Sequence, residues 1–248
     1  MFLALDIGNS NIKAGVFKNQ EIVHHFTESN FHALLSSIKH LPLTCIAISS
    51  VVPDKTNNII GELKNTFNIQ PFVIKHDSKL NLKLGYKTPH TLGIDRICSA
   101  EGAYLMCNKY LAKGTYLITS DFGTATTVNI VKYPNVFTGG IIAPGINTMF
   151  DSLNKNTAQL PELTIEIYSD IIGDSTDSSI ASGVVNSTVG LIEKVISYIF
   201  ELTDCEEIIF YATGGMTNKI NKHLPSTIIY DEFLVLRGIK SIYELNKN

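Results

Sequence analysis

Two short segments pair a carboxylate with a glycine-bearing polar turn: Asp6-Ile7-Gly8-Asn9-Ser10 near the start, and Asp121-Phe122-Gly123-Thr124-Ala125 at mid-chain. A glycine turn lets backbone N–H groups approach phosphate oxygens, because no Cβ stands in the way. A carboxylate beside such a turn would repel phosphate unless a divalent cation lay between them, so the pairing points to Mg²⁺ with a nucleotide. Two ordinary β-hairpins with polar tips could carry the same residues. The same device made twice, each time after a short apolar run (residues 2–5 and 116–118), favours the chemistry.

Other residues would complete a phosphoryl-transfer site. Asn9, Ser10, Asn11 and Lys13 follow Asp6 directly, and Lys13 could stabilise charge on a transferred group or be a solvated strand residue. Gly93-Ile94-Asp95-Arg96 heads a predicted helix, whose free N–H groups and dipole favour anions. Asp95 and Arg96 lie about 100° apart on a helix and so can serve different partners. Asp95 could accept a proton from a substrate hydroxyl, and Arg96 could grip a carboxylate at two points. A helix-cap Asp beside a surface Arg is the plain alternative. Glycine pairs at strand ends (Gly139-Gly140, Pro144-Gly145 and Thr213-Gly214-Gly215) allow close approach of a ring or phosphate, with Gly214 and Gly215 placed for adenosine. Tyr86, in an irregular stretch before Gly93, either covers a substrate or fills a core gap. The seven histidines read as surface or loop residues, none at metal-ligand spacing.

The elements that must position these residues repeat. Residues 2–5, 12–17 and 21–26 form a meander, followed by a helix capped by Asn30, a buried strand at 45–48, a helix at 54–67 and a strand at 72–74. Residues 77–90 are irregular, and Thr91 starts a long helix. A second three-strand opening spans 115–121, 126–131 and 135–142. It leads to a helix near 147–153, a loop over 157–175, and a long helix from Ser175 or Thr176 to about Phe200 whose stripe includes Ile180, Val184, Val189, Ile192, Val195, Ile196 and Ile199. A strand at 208–211, a short helix, a strand at 227–230 and a helix at 233–245 close the chain. The pattern predicts an α/β protein of two RNase H-like, actin-like ATPase domains, 1–113 and 114–248, facing each other across a nucleotide cleft. Such cleft proteins close around nucleotide.

Composition agrees. The chain has 248 residues, 44% apolar, with a formal net charge of −3 and only two arginines, Arg96 and Arg237. No basic stripe suggests nucleic acid. No apolar run reaches the ~20 residues that span a bilayer, so no membrane partner is expected. Four scattered cysteines read as reduced cytosolic thiols, and with no signal-peptide pattern the expected location is cytoplasmic.

In order along the chain, these segments resemble type III pantothenate kinase, of the actin-like kinase superfamily. The resemblance is carried by Asp6 to Ser10 with Lys13, Tyr86-Lys87-Thr88-Pro89, Leu92-Gly93-Ile94-Asp95-Arg96, and Asp121-Phe122-Gly123-Thr124-Ala125-Thr126-Thr127. Gly139-Gly140-Ile141-Ile142-Ala143-Pro144-Gly145, Thr213-Gly214-Gly215 and Leu234-Val235-Leu236-Arg237-Gly238-Ile239 complete it. The resemblance implies ATP-dependent phosphorylation of the primary hydroxyl of pantothenate, the first step toward coenzyme A. It implies Asp95 as catalytic base, and Tyr86, Gly93, Ile94, Arg96 and Thr176 in the pantothenate site. Asp6 would handle Mg²⁺, Asp121 a monovalent cation such as K⁺ or NH₄⁺, and Thr124 the ATP phosphates. The family's homodimer, with long helices at the interface, would bury the stripe from Ile180 to Ile199. Ser10 stands for the usual threonine, Asp174 for a frequent lysine, and residues 102–114 look like an extended helix. The competing readings are an accessory binding protein on a kinase fold, and a same-fold kinase for another hydroxylated acid.

Overall fold

The computed structural model describes residues 1–168, 170–201 and 204–247, and packing divides the chain into two units. The N-terminal unit holds residues 1–108, 135–137 and 233–248, and the C-terminal unit holds 109–134 and 138–232.

In the N-terminal unit β1 (Phe2–Ile7), β2 (Ile12–Lys18) and β3 (Glu21–Glu28) form an antiparallel meander. The chain passes through α1 (Phe31–Ile38), whose first turn is capped by Asn30 Oδ1 accepting the Ala33 N–H at 3.0 Å. It returns as β4 (Cys45–Ser50), parallel to β1. α2 (Pro53–Phe67) starts on a proline, where a missing N–H costs nothing, and stops at left-handed Asn68. β5 (Phe72–Val73) completes the order β3-β2-β1-β4-β5. β1 and β4 are buried along their length, as the continuous apolar run at residues 45–48 predicts for a parallel pair covered on both faces.

The irregular stretch contains a two-residue strand, β6 (Lys83–Leu84), paired with residues 136–137 in this same unit. The long helix, α3 (Ile94–Cys107), begins three residues later than its sequence suggests. Pro89 initiates a 3-10 turn over Pro89–Thr91, and extended Leu92 breaks it before Gly93 caps the helix. α3 also ends at Cys107 and passes into a second 3-10 turn rather than extending toward Gly114.

The C-terminal unit repeats the plan with β7 (Thr115–Phe122), β8 (Ala125–Lys132) and β9 (Val136–Pro144), whose first two residues belong to the N-terminal unit. Then follow α4 (Ile146–Asn156), α5 (Thr176–Glu201), β10 (Glu207–Thr213), α6 (Thr217–Ile220) and β11 (Ile229–Tyr230). β7 is antiparallel to β8 and parallel to β10, and β10 is parallel to β11. The loop over 157–175, of which residue 169 lies outside the described set, holds a 3-10 turn at Ile165–Ile167.

Two findings bear on the expectations about α5. Among the described helices it alone is long and apolar enough to cross a membrane by length and composition. Its stripe is also already used: Val184, Val189, Ile192, Val195 and Ile199 pack in the core with Tyr116, Ile118, Phe150 and Phe210. A helix whose apolar face is spent on its own domain leaves little of that stripe for another surface.

The last helix, α7 (Leu234–Asn246), lies in the N-terminal unit rather than with the second half. It packs on α3, β1 and β4, with the Tyr243 ring 4.9 Å from that of Phe2. The α3–α7 contact is backbone on backbone. A Cβ on Gly102 would overlap the Leu234 carbonyl oxygen, and one on Gly238 would overlap the Cys98 carbonyl oxygen. Gly238→Ala should therefore lower the unfolding free energy by about 1–3 kcal/mol through overpacking, read as a reduced urea midpoint. A midpoint equal to the parent's would mean that the helices can separate without cost.

Candidate active site

At the end of β1 the register sets three polar residues in a row. Asp6 lies opposite Lys13 on β2 and Ser49 on β4, so all three share one face of the sheet. Ser49 is fully buried and its hydroxyl donates to Asp6 Oδ1 at 3.1 Å. Behind it sits Cys98 of α3, hydrogen-bonded to Ser49, and burial together with the Asp6 charge pushes its thiol well up, so it stays protonated. The turn after Asp6 closes by the Gly8 N–H donating to Asn11 O at 3.0 Å, leaving Asn9, Ser10 and Asn11 exposed. Lys55 of α2 donates to Asn9 O at 3.3 Å, which adds a cation at the rim of this turn.

Glycine at position 93 is a steric need, because Asp95 Oδ1 occupies the space that its Cβ would take. That same oxygen accepts the Arg96 N–H at 2.8 Å, folding the carboxylate over the head of α3. Burial raises the Asp95 pKa above its ordinary value, opposed by the Arg96 N–H and the guanidinium charge. Arg96 is not the surface residue of the plain reading, being only 5% exposed. Its guanidinium carbon stands 5.9 Å from the centre of the Phe137 ring, and the Tyr86 ring meets that ring edge-on at 6.2 Å. Tyr86, Arg96 and Phe137 thus form one cluster. The His76 Nε2–H donates to Leu92 O at 2.7 Å, pinning the residue before Gly93. His76 is itself exposed in a turn, as a surface or loop histidine should be, whereas His223 is half-buried with its Nε2 shielded from solvent.

The C-terminal unit builds a second row. Asp121 at the end of β7 lies opposite Thr127 on β8 and Thr213 on β10. Three turns meet here. The Gly145 N–H and the Thr148 hydroxyl donate to Thr124 O at 3.0 and 2.7 Å, and the Met216 N–H donates to Phe122 O at 3.1 Å. Gly214 has φ +103°, and a Cβ there would lie 2.5 Å from Asp121 Oδ1. Gly215 faces open space. A cavity of about 420 Å³ follows, lined by Ala212, Thr217, Asn221, Leu224, Ile228 and Tyr230. Thr176 is exposed at the head of α5. There Ser178 Oγ accepts the N–H groups of Asp174 and Ser175, at 3.0 and 2.9 Å, and donates to Asp174 Oδ1 at 3.2 Å. Asp174 is therefore occupied in local capping.

Among the described residues no three His, Cys, Asp or Glu side chains cluster as a metal cage. A divalent ion here would lean on one carboxylate, ligand phosphates and water, as Mg²⁺ commonly does. Asp6, steadied by Ser49 beside an exposed glycine turn, fits that description. The Thr213 hydroxyl, buried without a hydrogen-bond partner and in register with Asp121, fits a weakly held monovalent cation. Ser49, Lys55, Phe137 and His76 escaped the sequence reading. Only Ser49 had a usable signal, a polar residue ending an apolar strand.

Residues 2–198 match the family model described as type III pantothenate kinase. A type III pantothenate kinase of Finegoldia magna is 35% identical over 264 residues, spanning all of this chain and 98% of that one. One from Sulfurihydrogenibium is 34% identical, over 96% of this chain and 98% of its own. Among solved structures, a conserved Campylobacter jejuni protein described as a Baf-family transcriptional activator superposes with a TM-score of 0.61 at 23% identity, covering 98% of this chain and 97% of that one. ROK hexokinase of Thermus thermophilus gives 0.51 at 11% identity, covering 99% of each chain. These structural likenesses establish the shared kinase fold.

Ser49→Ala should lower the unfolding free energy by about 1–3 kcal/mol, the usual loss for a buried hydrogen bond to a charged group. An unchanged urea midpoint would show that Asp6 is held by its other contacts alone.

Proposed function

The chain belongs to the type III pantothenate kinase family, and from that premise we propose that it moves the γ-phosphoryl group of ATP to the primary hydroxyl of pantothenate, the first step of coenzyme A synthesis. The observation that carries the reading is Asp95: a desolvated carboxylate fixed at a helix head, with a buried arginine as its neighbour. A free alcohol is a poor nucleophile at neutral pH. Asp95 takes the hydroxyl proton as the oxygen bonds to phosphorus, and ADP leaves with the electron pair of the breaking P–O bond.

Arg96, held on Phe137, supplies positive charge for the pantothenate carboxylate, and Tyr86 covers the substrate beside it, with Gly93 and Ile94 forming the floor. Thr176 is assigned to the same substrate. Gly8, Asn9, Ser10, Asn11 and Lys13 take phosphate oxygens, as does Thr124, while Gly214 and Gly215 receive adenosine. Mg²⁺, held through Asp6, supplies charge neutralisation for the phosphates when bound. K⁺ or NH₄⁺ is assigned to Asp121. A cytoplasmic homodimer is the assembly proposed, supported by the exposed Ile171, Ile172, Tyr198 and Phe200 on and before α5 rather than by its buried stripe.

The assay is ATP-dependent phosphorylation of pantothenate with Mg²⁺, run with K⁺, NH₄⁺ or Na⁺. Turnover stimulated by K⁺ or NH₄⁺ is expected. A folded protein that binds ATP yet leaves pantothenate untouched would shift the reading to another hydroxylated acid or to an accessory role.

Asp95 must be ionised to act, so kcat/KM should fall on the acid side with an apparent pKa above the ordinary 3.8 of an aspartate. Since burial disfavours its charged form, Asp95 costs the fold stability at neutral pH, and protonation relieves that cost as the pH falls through its folded pKa. Asp95→Asn keeps an oxygen for the Arg96 N–H. It should be at least as stable as the parent while turnover drops roughly 10²–10⁴-fold. Retained turnover would remove Asp95 from the mechanism.

A further inference from the structure

Six residues past Asp95 on the same helix, Glu101 has no solvent exposure at all. A buried carboxylate is costly, and burial indeed raises its pKa against the opposing hydrogen bonds. Replacing buried charged groups by apolar ones of similar size is often neutral or stabilising, so stability alone does not account for an acid here. Its partners suggest the reason. Oε1 accepts the Leu82 N–H at 2.9 Å, and Oε2 accepts the Asn81 side-chain amide at 3.0 Å. The same amide reaches the Ser241 hydroxyl on α7 at 3.3 Å.

On its other side the strand is tied to the start of β9. The Asn135 side-chain amide donates to Asn81 O at 2.6 Å, the Lys83 N–H to Asn135 O at 2.9 Å, and the Gly85 N–H to Phe137 O at 2.9 Å. The next residue is Tyr86, whose ring rests on Phe137. Residues 81–85 are therefore suspended between α3 and residues 135–137.

We propose that Glu101 is a positioning residue for substrate capture. It ties the strand leading to Tyr86 to the helix that carries Asp95, so that covering group and base are held at a fixed separation. This rests on the reading of Tyr86 as a pantothenate contact. The inference adds that the contact is set from within α3. Misplacing a positioning group by about 1 Å can cost as much as 10²-fold, so a rigid link of this kind matters to the reaction.

The test is steady-state kinetics on both substrates. Glu101→Gln keeps an acceptor for Leu82 but turns an N–H₂ group toward the Asn81 amide. The KM for pantothenate should rise roughly tenfold, as expected for losing one charge-assisted hydrogen bond, with kcat and the KM for ATP within about twofold. Asn81→Ala removes the same link from a half-buried position and should reproduce the rise, even if Glu101→Gln folds poorly. In a Tyr86→Ala background neither substitution should add a further increase. Equal losses for both substrates, or full additivity with Tyr86→Ala, would overturn the proposal and leave Glu101 a structural residue. A Tyr86→Ala variant with unchanged KM for pantothenate would instead defeat the reading of Tyr86 beneath it.

Discussion

The N-terminal unit depends on the direct contact between the backbones of α3 and α7. Helices normally pack with side chains between them and axes about 8–10 Å apart. Gly102 and Gly238 remove that spacer, so two carbonyl groups, of Leu234 and Cys98, sit where Cβ atoms would otherwise be. α7 in turn rests on β1 and β4. The position of α3 against the sheet is thereby fixed in depth as well as direction, and α3 carries Asp95, Arg96, Cys98 and Glu101 together. Cys98 reaches Ser49, and Ser49 holds Asp6, so Asp95, the proposed base, and the proposed metal carboxylate are referred to one helix.

The two sheets solve the same problem with different neighbours. In each, an aspartate ends the first strand and is flanked in register by a residue of either adjoining strand. Asp6 has a lysine and a serine, whereas Asp121 has two threonines. Hydroxyls can turn an oxygen toward a cation but supply no charge of their own. The difference suits a carboxylate that works with a lysine in one unit and with a solvent cation in the other.

Much of this was legible beforehand. Strand–turn devices are local, and hydrophobic periodicity, with Asn30 as a cap, located most elements to within a few residues. The glycine-rich turns were recognisable, since Gly93 and Gly214 each stand where a Cβ has no room. What escaped depends on long-range placement. Phe137 reads as an ordinary strand residue until β6 brings Tyr86 beside it. Glu101 looks like a solvated helix position, because nothing in the neighbouring residues announces that Asn81 and Leu82 will cover it. The stripe on α5 looked available for a partner, since sequence shows amphipathicity without showing which surface consumes it. The start of α3 was misjudged because a 3-10 turn and a helix share the same first-turn residues.

The membership of α7 in the N-terminal unit has a consequence for how the chain is made. Its partners, β1, β4 and α3, are translated early, while Leu234 and Gly238 follow the whole of the C-terminal unit. Emerging from the ribosome, the first half must wait with one flank of its core uncovered while the second half is synthesised and folds. Such a wait exposes apolar surface of the kind that attracts chaperones or other nascent chains. The helix that sets the depth of Asp95 is thus seated after the C-terminal unit, and assembly of the proposed site becomes a late event in the life of the molecule.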